Sequence, residues 1–186
     1  MDDAHKGREG NYKRFMAMVG TSTAIMFGLM YLNTYALDHV MWSETRFWMT
    51  FVMGAVMAVV MLAFMWGMYR NTAKNWIIIG VAVATFAGGL WLVRSQESVN
   101  DSEWMSAMIP HHSIAILTSE RAHISDKRVQ ELANSIITAQ RKEIAEMEWL
   151  IADIDANGVA ATQAEADARP VPQFEGHLNA DGGATP

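Results

Sequence analysis

The stretch FWMTFVMGAVMAVVMLAFMWGMY, residues 47–69, carries no charged side chain along its length. A helix of about 20 apolar residues crosses about 30 Å of hydrocarbon, so this run predicts a transmembrane helix. Residues 15–37 and 76–93 are likewise uncharged and of similar length. A cleavable signal peptide would explain at most one such run, and the first is too long for a signal core. Three transmembrane helices follow as the expectation for the first half of the chain.

Positive charge in the short connections sets the expected orientation. Lys6, Arg8, Lys13 and Arg14 lie in the N-terminal tail, residues 1–14, and Arg70 and Lys74 lie between the second and third runs. The opposite side has Arg46 and Arg94. The excess places the N-terminus in the cytoplasm and everything after the third run outside it. Tyr35, Trp42, Trp48, Tyr69, Trp76 and Trp91 stand near the run ends, where interfacial aromatics collect. The net charge of -6 offers no basic surface for nucleic acid. With no cysteine among the 186 residues, a metal site has to use His, Met and carboxylates.

After a polar link at residues 94–100, residues 101–154 read as an antiparallel pair of helices. Asp101 or Ser102 is placed to cap the first, with Glu103 in its first turn. Met105, Met108, His112, Ala115/Ile116 and Ser119 recur at helical spacing. Pro110 either kinks this helix or marks its true start; the spacing running through it favours the kink. Ser125 or Asp126 caps the second helix. Its inner face reads Val129, Leu132, Ala133, Ile136, Gln140, Glu143/Ile144, Met147, Leu150/Ile151 and Ile154. From residue 155 on, Ala, Gly, acidic residues and Pro predict a disordered tail. A hairpin of this size buries little core alone. The expected all-α fold is therefore three membrane helices followed by a hairpin that completes a four-helix bundle by dimerising or by docking in a larger membrane complex.

The stretch WMSAMIPHHSIAI, residues 104–116, holds the densest chemistry. On one helix Met108 neighbours both His111 and His112, while the two histidines point about 100° apart. Across the hairpin, Gln140 and Glu143 interrupt an apolar face at nearly the same height, and Met147 follows one turn on. A buried carboxylate needs a partner. That partner is either a metal ion or a histidine, His111 in the simplest pairing. Imidazole plus thioether suits copper; zinc gains little from methionine, and calcium and magnesium prefer oxygen. The plain alternative has His111 bonded to Glu143 without metal and the methionines as core filler.

NDSEWMSAMIPHHSIAI followed by AQRKEIAEM resembles the bacterial family known as domain of unknown function 305. The resemblance covers residues 101–154. It implies a ferritin-like helical bundle and, in some members, periplasmic binding of copper or silver for metal tolerance. By position the family pattern falls on Asp101, Met108, His111, His112, Gln140, Glu143 and Met147. Where many members have a methionine shortly after the histidines, this chain has Thr118.

Three other features have plainer readings. Glu120 and His123 have the Glu-x-x-His spacing of di-iron bundles, but lie beside the turn, several turns from Glu143. Met49, Met53, Met57, Met61 and Met65 repeat every four residues, and each step rotates about 40°, so the row winds around its helix. Asp38, His39, Met41 and Glu44, in the first loop, lie on the hairpin's side of the membrane in this topology. The expected function is a membrane-anchored, periplasm-facing copper-binding protein for storage, sensing or delivery. The alternative is an accessory subunit of a membrane complex. No nucleophile–base set, phosphate loop or cofactor fingerprint points to an enzyme.

Overall fold

The structure is a computed structural model and describes residues 11–178. Among these are six helices and no strand: α1 (Tyr12–Leu29), α2 (Glu44–Phe64), α3 (Thr72–Ser95), α4 (Asp101–Arg121), α5 (Lys127–Asn157) and α6 (Gln163–Ala168). They form two compact units. One comprises residues 11–30 and Glu44–Ser98; the other comprises Tyr31–Ser43 and residues 99–178. Most of the N-terminal tail, including Lys6 and Arg8, lies outside the described residues.

In the first unit, Asn11 caps α1 through the N–H groups of Lys13 and Arg14, and Asn71 caps α3 through Lys74. Phe15, Val19, Ala58, Leu62 and Tyr69 form the core at one end. Met61 and Met65 of the methionine row pack against this core as filler. Asn75 is buried, accepts the Tyr12 hydroxyl at 2.7 Å and donates to the Tyr69 carbonyl at 2.7 Å. Two glycines let the helices approach closely. A Cβ on Gly54 would sit 2.7 Å from Thr23 Oγ1, and one on Gly89 would sit 2.9 Å from Val52 Cγ2.

Helices α2 and α3, of 21 and 24 residues, are long and apolar enough to cross a membrane. Only 33% and 11% of their apolar windows are buried, so neither is wrapped as the core helix of a water-soluble domain would be. The run at 15–37 behaves differently. Its helix ends at Leu29, and residues 31–37 join the second unit. Lys13 and Arg14 fall in the first turn of α1, and Thr21, Ser22 and Thr23 thin its apolar character. Beyond it, Thr34 bonds the Tyr31 carbonyl through both its N–H and its hydroxyl, and the Tyr35 N–H goes to Ser113. Backbone groups that a longer helix would have used are thus satisfied elsewhere.

The second unit is the hairpin. Its first helix is capped one residue earlier than Asp101: Asn100 accepts from Glu103 N at 3.0 Å, and Glu103 returns the bond to Asn100 N at 3.0 Å. This reciprocal box satisfies two donors at once. Helix α4 runs unbroken through Pro110, so it does not start there. Asp126, as expected, caps α5. The core stripe of α4 is Met105, Ile109, Ser113 and Ile116; that of α5 is Ala133, Ile137, Ile144 and Met147. Val129 and Leu132, expected inside, are exposed at 46% and 59%, whereas Ile137 is buried. The stripe is carried by the middle of α5, not by its first turns.

Residues 155–178 are not featureless. Asp155 to Asn157 complete α5, and Gly158 follows at φ 79, a conformation that favours glycine. Thr162 and Glu165 form a second capping box that starts α6, and Arg169 ties its end to Asp153 at 2.6 Å. Further on, a Cβ at Gly176 would overlap the Thr138 carbonyl, so the chain lies directly on α5. Arg141 donates to the carbonyls of His177 and Leu178. Local caps and one arginine order a stretch whose composition alone reads as disordered. Residues 179–186 fall outside the described residues.

Candidate metal centre on the hairpin

His112 bridges the two hairpin helices. Its Nδ1 lies 2.9 Å from the Met108 carbonyl oxygen, one turn back on α4. A carbonyl only accepts, so Nδ1 carries a proton and donates. Nε2 is left to face Glu143, 2.9 Å from Oε2. Gln140 Nε2 donates to the same oxygen at 3.3 Å. The pairing therefore uses His112, not His111. His111 is exposed, with its ring 6.2 Å from that of His112 and inclined at 71°. His112 flanks the buried Ile109–Ser113–Ile116 stripe, while His111 sits a further 100° or so around the helix.

The physical premise for a partner on Glu143 changes with this. Its side chain is 48% exposed and that of His112 is 13% exposed. Glu143 lies at the rim of the apolar face, so water as well as His112 satisfies it.

The other residues expected at the site are placed as follows. Met147 is buried and Met108 borders the same cluster, which also holds Met105. Asp101 is exposed in the first turn of α4 and lies about 15 Å from His111 along the helix axis, so the hairpin does not bring it to the histidines. The Thr118 hydroxyl bonds the Ile114 and Ala115 carbonyls within its own helix. Glu120 pairs with Arg141, and His123 is exposed beside the turn. Among the described residues, no group of three or more His, Cys, Asp or Glu is arranged to hold a metal ion.

In kind, the donors fit a soft ion. A metal-binding histidine usually gives its other ring N–H to a carbonyl or carboxylate, which fixes the tautomer and aims the lone pair. The Met108 carbonyl does this for His112, so that the neutral ring would present Nε2. His111 and the thioethers of Met108 and Met147 are the neighbours available to such an ion.

Two features were not read from the sequence. Ser113 is fully buried, accepts the Tyr35 N–H at 2.7 Å and lies 2.9 Å from His39 Nδ1. Its position in phase with Ile109 and Ile116 was the available indication. Arg141 also reaches the Tyr35 hydroxyl at 3.2 Å and lies over the Tyr35 ring, 5.5 Å from the centroid. No local pattern announces it. Through both residues the Tyr31–Ser43 loop is part of the hairpin's structure, and Tyr35 and Met41 pack on its core.

Residues 92–179 match the family described as Domain of unknown function (DUF305). Over 85 residues the chain is 31% identical to "Uncharacterized protein L153" of Acanthamoeba polyphaga mimivirus, covering 45% of this chain and 55% of that protein. The chain thus spans about half the length of the curated relative it matches. No solved structure matches it. The matched segment, residues 92–179, is the one that holds His111, His112 and Glu143, and there the chain is similar to the DUF305 family.

Proposed function

We propose that this is a membrane-anchored protein whose hairpin binds a soft metal ion, copper before zinc, for storage, sensing or delivery. The reading rests above all on His112: its Nδ1 donates to the Met108 carbonyl, its Nε2 is turned to a carboxylate, and the adjoining hairpin core holds Met105 and Met147 with Met108 packed against it. The role is binding, not catalysis.

The anchor in this reading is α2 and α3 with α1 as a third, shorter span. The sparse burial of α2 and α3 supports lipid around them. The excess of Lys and Arg in the tail and the second connection supports a cytoplasmic N-terminus and a periplasmic hairpin, in a bacterial inner membrane. Pairing of two hairpins into a ferritin-like four-helix bundle would cover Val129 and Leu132, which are exposed in one copy.

The test is titration of the full-length protein, in detergent or nanodiscs, with Cu(I) and Ag(I). Binding should weaken strongly in a Met108→Leu/His111→Ala/His112→Ala variant. Binding equal to the parent protein would refute the site. A second reading is favoured by one observation: His112 and Glu143 already satisfy each other. In that reading the protein is an accessory subunit, and purification from native membranes recovers a stoichiometric partner whose association survives loss of His112.

A further inference from the structure

The loop Tyr31–Ser43 lies outside the family match, yet it supplies a side chain to the hairpin core. Met41 packs against the cluster in which Met105 is 4% and Met147 7% exposed and which Met108 borders. Four thioethers, three from the hairpin and one from the loop, therefore share one apolar cluster.

The loop is held there by a polar anchor. Ser113 has no exposed surface, so water does not satisfy its hydroxyl. Its oxygen accepts the Tyr35 N–H and lies 2.9 Å from His39 Nδ1. Engaged with Ser113 in this way, His39 fastens the loop. Met41, two residues on, is the donor that the fastened loop delivers.

We propose that Met41 is a ligand of the hairpin's soft-metal site, the thioether that joins Met108 and Met147, and that Ser113 is the positioning residue that keeps it there. The ligand is a soft monovalent cation, Cu(I) or Ag(I). Neutral sulfur donors suit such an ion, and Glu143 at the rim supplies negative charge. This rests on the metal-binding reading above and adds to it a ligand from outside the family segment.

Leucine replaces methionine at nearly constant volume, so Met41→Leu removes the sulfur and keeps the packing. The full-length protein and the Met41→Leu, Ser113→Ala and Met61→Leu variants are compared by competitive Cu(I) titration and by X-ray absorption at the copper edge. Met61, in the core of the other unit, is the control. Met41→Leu should lose one sulfur scatterer and bind at least about tenfold more weakly, no less than when outer-shell partners are removed. Ser113→Ala should lower the sulfur count while keeping every methionine, and Met61→Leu should match the parent. A parent protein that binds Cu(I), with an unchanged sulfur count and affinity in Met41→Leu, overturns this inference alone. A parent protein that binds neither Cu(I) nor Ag(I) overturns the metal reading itself.

Discussion

Nε2 of His112 lies 2.9 Å from Oε2 of Glu143, while Nδ1 of the same ring donates to the Met108 carbonyl. The two side chains thus link α4 and α5 directly, and the separation leaves no room for an ion between them. In the metal-binding reading proposed above, an ion that takes Nε2 requires Glu143 to swing aside or to join it.

Replacing Glu143 separates these two roles. Its side chain is 48% exposed, so the pair resembles surface ion pairs, which contribute about 0–1 kcal/mol. Glu143→Gln should shift the stability of the hairpin by less than about 1 kcal/mol. It should also change the affinity for Cu(I), because the carboxylate that faces Nε2 is gone. Chemical denaturation gives the first quantity and Cu(I) titration the second. A destabilisation of several kcal/mol would contradict the rim position of Glu143.

Ser113 looks the more innocent residue and should matter more. Ser113→Ala leaves the Tyr35 N–H without its acceptor and His39 Nδ1 without its partner. A buried donor stranded in this way costs about 1–3 kcal/mol. Ser113→Ala should therefore destabilise the hairpin more than Glu143→Gln does. Hydrogen exchange should rise at residues 35–41 first. Equal protection of the loop in parent and variant would mean that Ser113 does not hold it.

The contrast between these two residues shows what the sequence could tell. Glu143 stands out because it interrupts an apolar pattern; of the two partners the sequence leaves open, a metal ion or His111, the structure shows the neighbouring histidine, His112. The error came from phase, since adjacent residues on a helix point about 100° apart. Ser113 was passed over because serine carries no strong periodic weight, although it lies on the stripe. The helices themselves were legible from apolar spacing and caps. The break at Leu29 was not, because residues 31–37 carry no charge to end the run, and the contacts that hold Tyr35 come from the distant Ser113 and Arg141. Long-range polar contacts leave no local trace.

The C-terminal segment depends on a glycine. A Cβ at Gly176 would overlap the Thr138 carbonyl, which belongs to the backbone of α5 and cannot yield. Gly176→Ala should lift the segment off α5 and release Arg141 from the carbonyls of His177 and Leu178. Limited proteolysis with mass detection should then show faster cleavage within residues 171–178, with α4 and α5 still protected. Arg141→Met should do the same and also release the Tyr35 hydroxyl, with the Tyr35 N–H still held by Ser113. An unchanged cleavage rate in both variants would show that neither residue holds the segment on α5.

The start of α5 should respond to acid in a defined direction. Asp126 accepts from Arg128 N at 2.9 Å, and its carboxylate pairs with the Arg128 guanidinium at 2.7 Å. The guanidinium first, and then the backbone N–H, hold the Asp126 carboxyl below the ordinary aspartate range. Because the folded value lies below the unfolded one, the unfolded chain takes up the proton first as pH falls. The contribution of Asp126 is thus fully present above the unfolded value of about 3.9, and is lost as pH falls through the lower folded value. Asp126→Asn keeps a capping oxygen but cannot titrate. The parent protein should therefore lose its margin over Asp126→Asn as pH falls below about 4, the two Tm curves converging in strong acid. The other carboxylates are common to both proteins and cancel in the difference. Parallel curves across the whole range would show that Asp126 is not held in this way.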